Sequence, residues 1–189
     1  GCRLLGWQDT LYTYGYYNKF GGPCRMYAID CYIEGTTDFI FGPMTCLFEN
    51  CHIHCKANSY ITAASTLQQW KYGYVFKNCK ITAAEGVTQV YLGRPWRPYA
   101  RTVFIECELG SFIHPAGWKS WYRKDKPFGD GSDTAFYAEY NNRGEGATTS
   151  QRVEWSHQLT AEEAAEYTFE KIFYHENDEK HEWNPFDNK

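Results

Sequence analysis

Apolar residues along this chain fall in short runs with a two-residue alternation, and the runs recur. Tyr27-Ala28-Ile29-Asp30-Cys31-Tyr32-Ile33 is echoed by Leu47-Phe48-Glu49-Asn50-Cys51-His52-Ile53. It returns as Tyr74-Val75-Phe76-Lys77-Asn78-Cys79-Lys80-Ile81 and as Val103-Phe104-Ile105-Glu106-Cys107-Glu108-Leu109. Gly1-Cys2-Arg3-Leu4 has the form of the end of one more copy. Each unit is an apolar run, a polar residue, a cysteine, any residue, then Ile or Leu. Within one copy the alternation puts Phe76 and Asn78 on one face and Val75, Lys77, Cys79 and Ile81 on the other. The alternation is imperfect, as a bulge or a corner would make it. Gly, Asn, Thr and Pro fill the intervals, which marks them as turns.

The repeat decides the fold class. Cys2, Cys31, Cys51, Cys79 and Cys107 are spaced 29, 20, 28 and 28 residues apart. No helix-period segment interrupts the series before about residue 159. Short strands at this spacing without crossover helices predict an all-β right-handed parallel β-helix, a single-stranded solenoid. The cysteines then form an interior ladder, being small and apolar enough to stack. An antiparallel sandwich or barrel of short strands would also be periodic, but it would not return the same residue type to the same point of every copy.

The end of the chain has a different pattern. Thr160-Ala161-Glu162-Glu163 is a capping box at a helix start. Ala164, Ala165, Tyr167 and Phe169 continue in helix-forming context. The expectation is one helix over about 161–171 that caps the end of the coil, closing a solenoid domain over 1–175. Residues 176–189 form a polar tail.

Aligning the first two copies on their cysteines brings out candidate chemistry. Cys2 to Asp9 and Cys31 to Asp38 share the pattern Cys-x-(Leu/Ile)-x-Gly-x-x-Asp. On successive coils the two aspartates would stack at the strand spacing of about 4.8 Å. Carboxylates that close do not both ionise freely, so one is held as an acid while the other stays a base or nucleophile. A pair of solvated turn aspartates is the bland alternative. The neighbours argue against it. Gln8 could donate an amide hydrogen to a developing oxyanion. Asp38 lies in the apolar context Asp38-Phe39-Ile40-Phe41-Gly42. Arg94, between Gly93 and Pro95, could hold a carboxylate through two hydrogen bonds.

These stretches resemble the pectin methylesterase (pectinesterase) family. Gly6-Trp7-Gln8-Asp9-Thr10-Leu11-Tyr12, Gly35-Thr36-Thr37-Asp38-Phe39-Ile40-Phe41-Gly42 and Leu92-Gly93-Arg94-Pro95-Trp96 are similar to three of its motifs, in family order. Pro115-Ala116-Gly117-Trp118, Tyr137-Ala138-Glu139-Tyr140-Asn141-Asn142, Gly144-Glu145-Gly146-Ala147 and Arg152-Val153-Glu154-Trp155 are also similar. The resemblance implies a parallel β-helix that hydrolyses the methyl esters of polygalacturonate to pectate and methanol. It implies Asp38 as nucleophile, Asp9 as acid and then base, Gln8 as oxyanion donor and Arg94 as the residue that orients Asp38. It also implies Trp96, Tyr12 and Phe41 against the sugar chain. The family carries a further oxyanion glutamine upstream, beyond the start of this sequence, so the chain is expected to be a catalytic portion without its opening coils. One missing donor of that kind costs about 10²–10³ in rate. Tyr14-Gly15-Tyr16-Tyr17 and Gly21-Gly22-Pro23-Cys24 depart from the plant-type pattern and resemble a bacterial-style loop.

Composition narrows the partners. Aromatic residues make up 19 % of the 189 residues, an excess that either fills a core or lines a gripping surface. The net charge of −4 carries no basic stripe, so no nucleic-acid partner is expected. No apolar run approaches the ~20 residues of a membrane span. Eight cysteines fit a secreted, extracellular or periplasmic protein, with room for one disulfide among Cys24, Cys46 and Cys55. Cys51-His52-Ile53-His54-Cys55 looks like a metal cluster, but alternation points the histidines away from the cysteines. Gly129 to Asp133 is a turn, too short for a calcium loop. No metal or cofactor is expected, and the protein is expected to be a monomer. Two rivals share the features above. A β-helix glycoside hydrolase also uses a close carboxylate pair, and a non-catalytic pectin-binding fragment also needs exposed aromatics.

Overall fold

The computed structural model describes residues 1–19, 21–121 and 130–174. The polar tail expected at 176–189 lies outside the described residues, as does Gly129. The strands in chain order are β1 (Arg3–Leu5), β2 (Leu11–Tyr12), β3 (Arg25–Ile29), β4 (Tyr32–Gly35) and β5 (Ile40–Gly42). They continue with β6 (Thr45–Glu49), β7 (His52–Cys55), β8 (Tyr60–Ala64), β9 (Tyr74–Lys77) and β10 (Lys80–Ala83). The last are β11 (Tyr91–Gly93), β12 (Arg101–Ile105), β13 (Glu108–Leu109), β14 (Phe136–Tyr140) and β15 (His157–Gln158).

They pair, in parallel throughout, into three sheets. The first is ordered β1-β4-β7-β10-β13, the second β11-β8-β5-β2 and the third β15-β14-β12-β9-β6-β3. Each winding of the chain visits third, first and second sheet in turn, so the fold is the right-handed parallel β-helix read from the repeat. Register between windings is strict. Ile33 pairs with Ile53 and Ile53 with Ile81, all at most 2 % exposed. Phe48, Phe76 and Phe104 stack with ring centroids 4.5 and 4.4 Å apart. Each such side chain contributes roughly 1.5–3 kcal/mol by leaving water.

The cysteine ladder lies inside, as expected. Cys31, Cys51, Cys79 and Cys107 are buried. The Cys79 thiol donates to the carbonyls of Phe48 and Lys77, both at 3.4 Å. All eight cysteines are free thiols, so the disulfide allowed for among Cys24, Cys46 and Cys55 is not formed.

The facing of one copy differs from simple alternation. Phe76, Cys79 and Ile81 all point into the core, whereas Val75 points outward. The reason is the residue before each ladder cysteine. Asp30, Asn50, Asn78 and Glu106 have φ between 51 and 55°. That left-handed conformation turns the chain from the third sheet into the first and resets the phase. Asp and Asn tolerate it with short polar side chains, and the Asn78 amide donates to Asn50 at 2.7 Å.

The closing helix also differs. The capping box at Thr160 is present, but the helix ends after four residues, α1 (Ala161–Ala164). A second helix, α2 (Phe169–Phe173), starts where the Thr168 hydroxyl caps Lys171 N–H. Neither covers the end of the coil. The segment runs back along the outer flank of the third sheet, where Leu159, Tyr167, Ile172 and Phe173 pack on Leu47, Val75, Val103 and Ala138. The outward apolar column of that sheet is long enough to need such a cover.

Candidate active site

The second sheet meets the first at a column of corners built on aspartate. Asp9 has φ 59° and Asp38 φ 50°, the same left-handed turn used at the asparagine corners. Strand pairing on both sides keeps these two in register: Arg3 pairs with Tyr32 before them and Leu11 with Ile40 after them. The backbone is tied across the windings, Asp9 N–H donating to Thr37 O at 3.1 Å and Asp38 N–H to Tyr60 O at 2.9 Å. Their backbones are therefore one strand spacing, about 4.8 Å, apart. Residues held at positive φ by the surrounding ladder are a common mark of a functional site.

Arg94 follows β11, one winding past β8. Its Nε donates to Asp38 Oδ1 at 3.0 Å and its Nη2 to Oδ2 at 2.6 Å. Asp38 is 7 % exposed. The bidentate guanidinium gives the buried carboxylate an ionic partner and two hydrogen bonds. The guanidinium carbon lies 4.0 Å from the ring centroids of both Tyr60 and Trp121, so two aromatic rings hold its plane. Neither ring was among the expected site residues. Tyr60 carried a weak signal, the first position of a strand opposite Asp38. Trp121 carried none, since it lies beyond the last strand of its winding.

Asp9 is the more exposed of the two. Its carboxyl is pushed up from the ordinary value, first by partial desolvation in the cleft and second by the Asp38 charge, with Arg94 opposing. One acid is thus biased toward holding a proton beside another that is clamped by a cation.

Gln8, Asp9, Asp38, Phe41, Ala63, Arg94, Trp96 and Trp121 line one cleft of 260 Å³. Phe41 and Tyr12 stack at 4.5 Å, and Trp96 stands edge-on to them at 5.8 and 6.5 Å. The chain therefore brings together all seven residues named from the sequence: the Gln8, Asp9, Asp38 and Arg94 set, with Trp96, Tyr12 and Phe41 at its side. A larger cleft of 620 Å³ lies between Gln69–Tyr72 and α2. Its charged groups are Lys71, Glu166, Glu170 and Lys171, of which Glu166 pairs with both lysines in solvent at 3.1 and 2.5 Å.

His52 and His54 both hydrogen-bond Thr82 Oγ1, at 2.6 and 2.8 Å, on the outer face of the first sheet, while Cys51 and Cys55 are buried. Imidazoles and thiols thus face apart across that strand. Among the described residues no three His, Cys, Asp or Glu side chains converge.

The chain matches the Pectinesterase family over residues 1–177. It is 40 % identical over 178 residues to Pectinesterase 31 of Arabidopsis thaliana, covering 94 % of this chain and 52 % of that protein. Among solved structures it is similar to a pectin methylesterase from carrot, with TM-score 0.77, 34 % identity, and coverage of 90 % of this chain and 54 % of that one. It is also similar to a pectin methylesterase in complex with a hexasaccharide, with TM-score 0.73, 30 % identity, and coverage of 97 and 56 %. The chain thus spans about half the length of these relatives. Matched over nearly all of its own length at this identity, and in the same architecture, the chain belongs to the pectinesterase family.

Proposed function

We propose that the chain supplies the catalytic centre of a carboxylic ester hydrolase that removes methyl groups from polygalacturonate. The observation that carries this reading is the Arg94–Asp38 clamp with the proton-biased Asp9 one winding away in the same cleft. Asp38 attacks the ester carbonyl carbon, and the Gln8 amide donates to the oxyanion that forms. Collapse breaks the bond to the methoxy oxygen, Asp9 supplies its proton, and methanol leaves an acyl group on Asp38. Asp9, now a carboxylate, takes a proton from water as the water attacks that acyl carbon. The bond from that carbon to Asp38 breaks, which restores Asp38 as carboxylate beside a protonated Asp9, and the galacturonic acid formed leaves and gives its own proton to solvent as pectate. The environments of the two acids match these roles, Asp38 being clamped by a guanidinium and Asp9 biased toward its neutral form.

Trp96, Phe41 and Tyr12 offer the apolar faces on which pyranose rings lie. One structural relative was solved with a hexasaccharide bound. The acidic net charge disfavours polyanionic, demethylated stretches, so the preferred substrate is the nearly neutral, highly esterified polymer. A polymeric substrate of this kind supports reading the protein as secreted, extracellular or periplasmic, and we take it to act as a monomer. The test measures methanol and new reducing ends from highly esterified pectin. Methanol without reducing ends is expected; reducing ends without methanol would identify a glycosidase instead.

A further inference from the structure

The aromatic surface does not stop at Tyr12. Beyond β2 the chain keeps the two-residue alternation of a strand. Thr13 points inward and is buried, its hydroxyl bonded to Tyr74 at 2.6 Å and to the Phe41 carbonyl at 3.1 Å. Gly15 also faces in, at φ 147°, where an added Cβ would stand 2.6 Å from Cys24 Sγ. Tyr12, Tyr14 and Tyr16 are therefore all turned out. Tyr14 is 65 % and Tyr16 40 % exposed. Ring centroids step 5.4 Å from Tyr12 to Tyr14 and 6.1 Å from Tyr14 to Tyr16.

The backbone that carries the row is held just beyond it. The Tyr17 hydroxyl accepts from Gln69 Nε2 at 2.9 Å, and its ring meets Trp70 edge-on at 5.8 Å. Asn18 closes the next turn, bonding the Gly22 N–H at 3.1 Å and the Pro23 carbonyl at 3.3 Å. A preorganised ring loses little freedom on binding, which favours affinity. The loop is also surplus to the coil. Residues 13–24 join β2 to β3, whereas the matching connections of the next windings are 43–44, 65–73 and 94–100.

We propose that Tyr14 and Tyr16 extend the sugar-binding surface, gripping units of an esterified galacturonan chain beyond those contacted by Tyr12, Phe41 and Trp96. The inference rests on the esterase reading for the identity of the ligand. Its physical basis is continuity. The rings run without a break from the Arg94–Asp38 cleft through Phe41 and Tyr12 to Tyr16, each step short enough for one bound chain to touch its neighbours. Exposed tyrosines on a backbone pinned at Thr13 and Tyr17 present faces to solvent at little entropic cost, and sugar rings are the ligands such faces take. The loop thereby selects for polymer length rather than for the reacting ester.

The test is calorimetric binding of a long, highly esterified galacturonan and of an esterified disaccharide. It uses the unaltered chain, Tyr14→Ala, Tyr16→Ala, the double variant, and Tyr14→Phe with Tyr16→Phe. Each alanine is expected to weaken polymer binding about threefold, and the pair about tenfold, while disaccharide affinity holds and the phenylalanine variants bind like the parent. An unchanged polymer affinity in the double alanine variant overturns the proposal. So does an equal loss for the disaccharide, or a parent chain that does not bind the polymer. Methanol release by the parent is followed alongside. Ring-dependent polymer binding without methanol would sink the esterase reading and leave this inference standing.

Discussion

Arg94 and Asp38, 56 residues apart in sequence, meet through two parallel hydrogen bonds of 3.0 and 2.6 Å. The pair combines electrostatics with orientation. Lysine at 94 would keep the charge but lose the fork and the sandwich between Tyr60 and Trp121. Arg94→Lys is therefore expected to lower the rate of methanol release about 10²-fold, on the scale of one misplaced catalytic group. Arg94→Ala leaves a buried carboxylate unpaired. It should cost about 2–4 kcal/mol, somewhat below a fully buried pair because the arginine is partly exposed. Urea denaturation reads the second effect. An Arg94→Ala protein as stable and as active as the parent would show that the clamp does neither task.

Asp9 yields a pH signature. Its carboxyl is raised in the folded protein by desolvation and by Asp38. In the window between the unfolded value, about 3.9, and the raised folded value, the native state binds more protons than the unfolded state. Stability from this group is therefore greatest in acid and falls as pH rises through the folded value. Asp9→Asn removes the penalty. Its melting temperature should exceed the parent's at pH 7 and match it near pH 3. Activity moves the other way, because the amide can neither give nor take the proton, and a loss of about 10²–10⁴ is expected. A variant that melts lower than the parent at pH 7 would contradict the assigned charge repulsion.

How much of this was legible beforehand follows from which interactions repeat. The cysteine ladder and the register of Asp9 over Asp38 recur winding by winding, so spacing alone exposes them. Arg94 belongs to no repeat. Only its motif pointed to it, because its place beside Asp38 depends on how β11 pairs with β8. Trp121 has no periodic signal at all. The phase reset at Asn78 was hidden for a different reason. Alternation assumes one continuous strand, and a left-handed residue between two strands breaks that assumption without changing composition. The closing segment was misread as one helix because Ala161 to Phe169 has helical propensity throughout. Tyr167 buried on the third sheet, and Thr168 recapping the chain after it, override that propensity.

The thiols give a third prediction. Burial pushes Cys46, Cys55 and Cys79 far above the ordinary thiol value, with a neighbouring ladder thiol the leading cause for Cys79. Cys2 is exposed and Cys24 half-buried, while the other six are buried. A thiol-specific reagent at pH 8 should label Cys2 readily and Cys24 slowly, and reach the remaining six only when the protein unfolds. Mass spectrometry of the labelled peptides reads the pattern. Rapid modification of Cys51 or Cys79 in the native state would mean that the interior column is not closed.

The last prediction concerns the Glu139–Arg152 pair, which explains two motifs that contact no part of the cleft. Pairing continues the phenylalanine column from Phe104 to Glu139, so a carboxylate stands where the stacking rule would put a ring. Its side chain is 1 % exposed and that of Arg152 4 %. Arg152 satisfies it through Nε at 2.7 Å and Nη2 at 3.1 Å, and gives two further hydrogens to the Gly146 and Pro115 carbonyls at 2.7 and 3.0 Å. The pair thus ties three loops to the last full winding. Gly117 makes room for it, since an added Cβ would lie 2.4 Å from Arg152 Cδ. Arg152→Ala leaves the carboxylate with only the Asn142 amide at 3.3 Å and strands the two carbonyls, and should cost about 3–5 kcal/mol. Glu139→Leu combined with Arg152→Met removes both charges and should recover a good part of that loss, because an apolar pair of similar volume has no desolvation penalty to offset. Denaturant midpoints of the single and double variants decide it. A double variant no more stable than Arg152→Ala would show that the lost carbonyl contacts, rather than the uncompensated carboxylate, carry the cost.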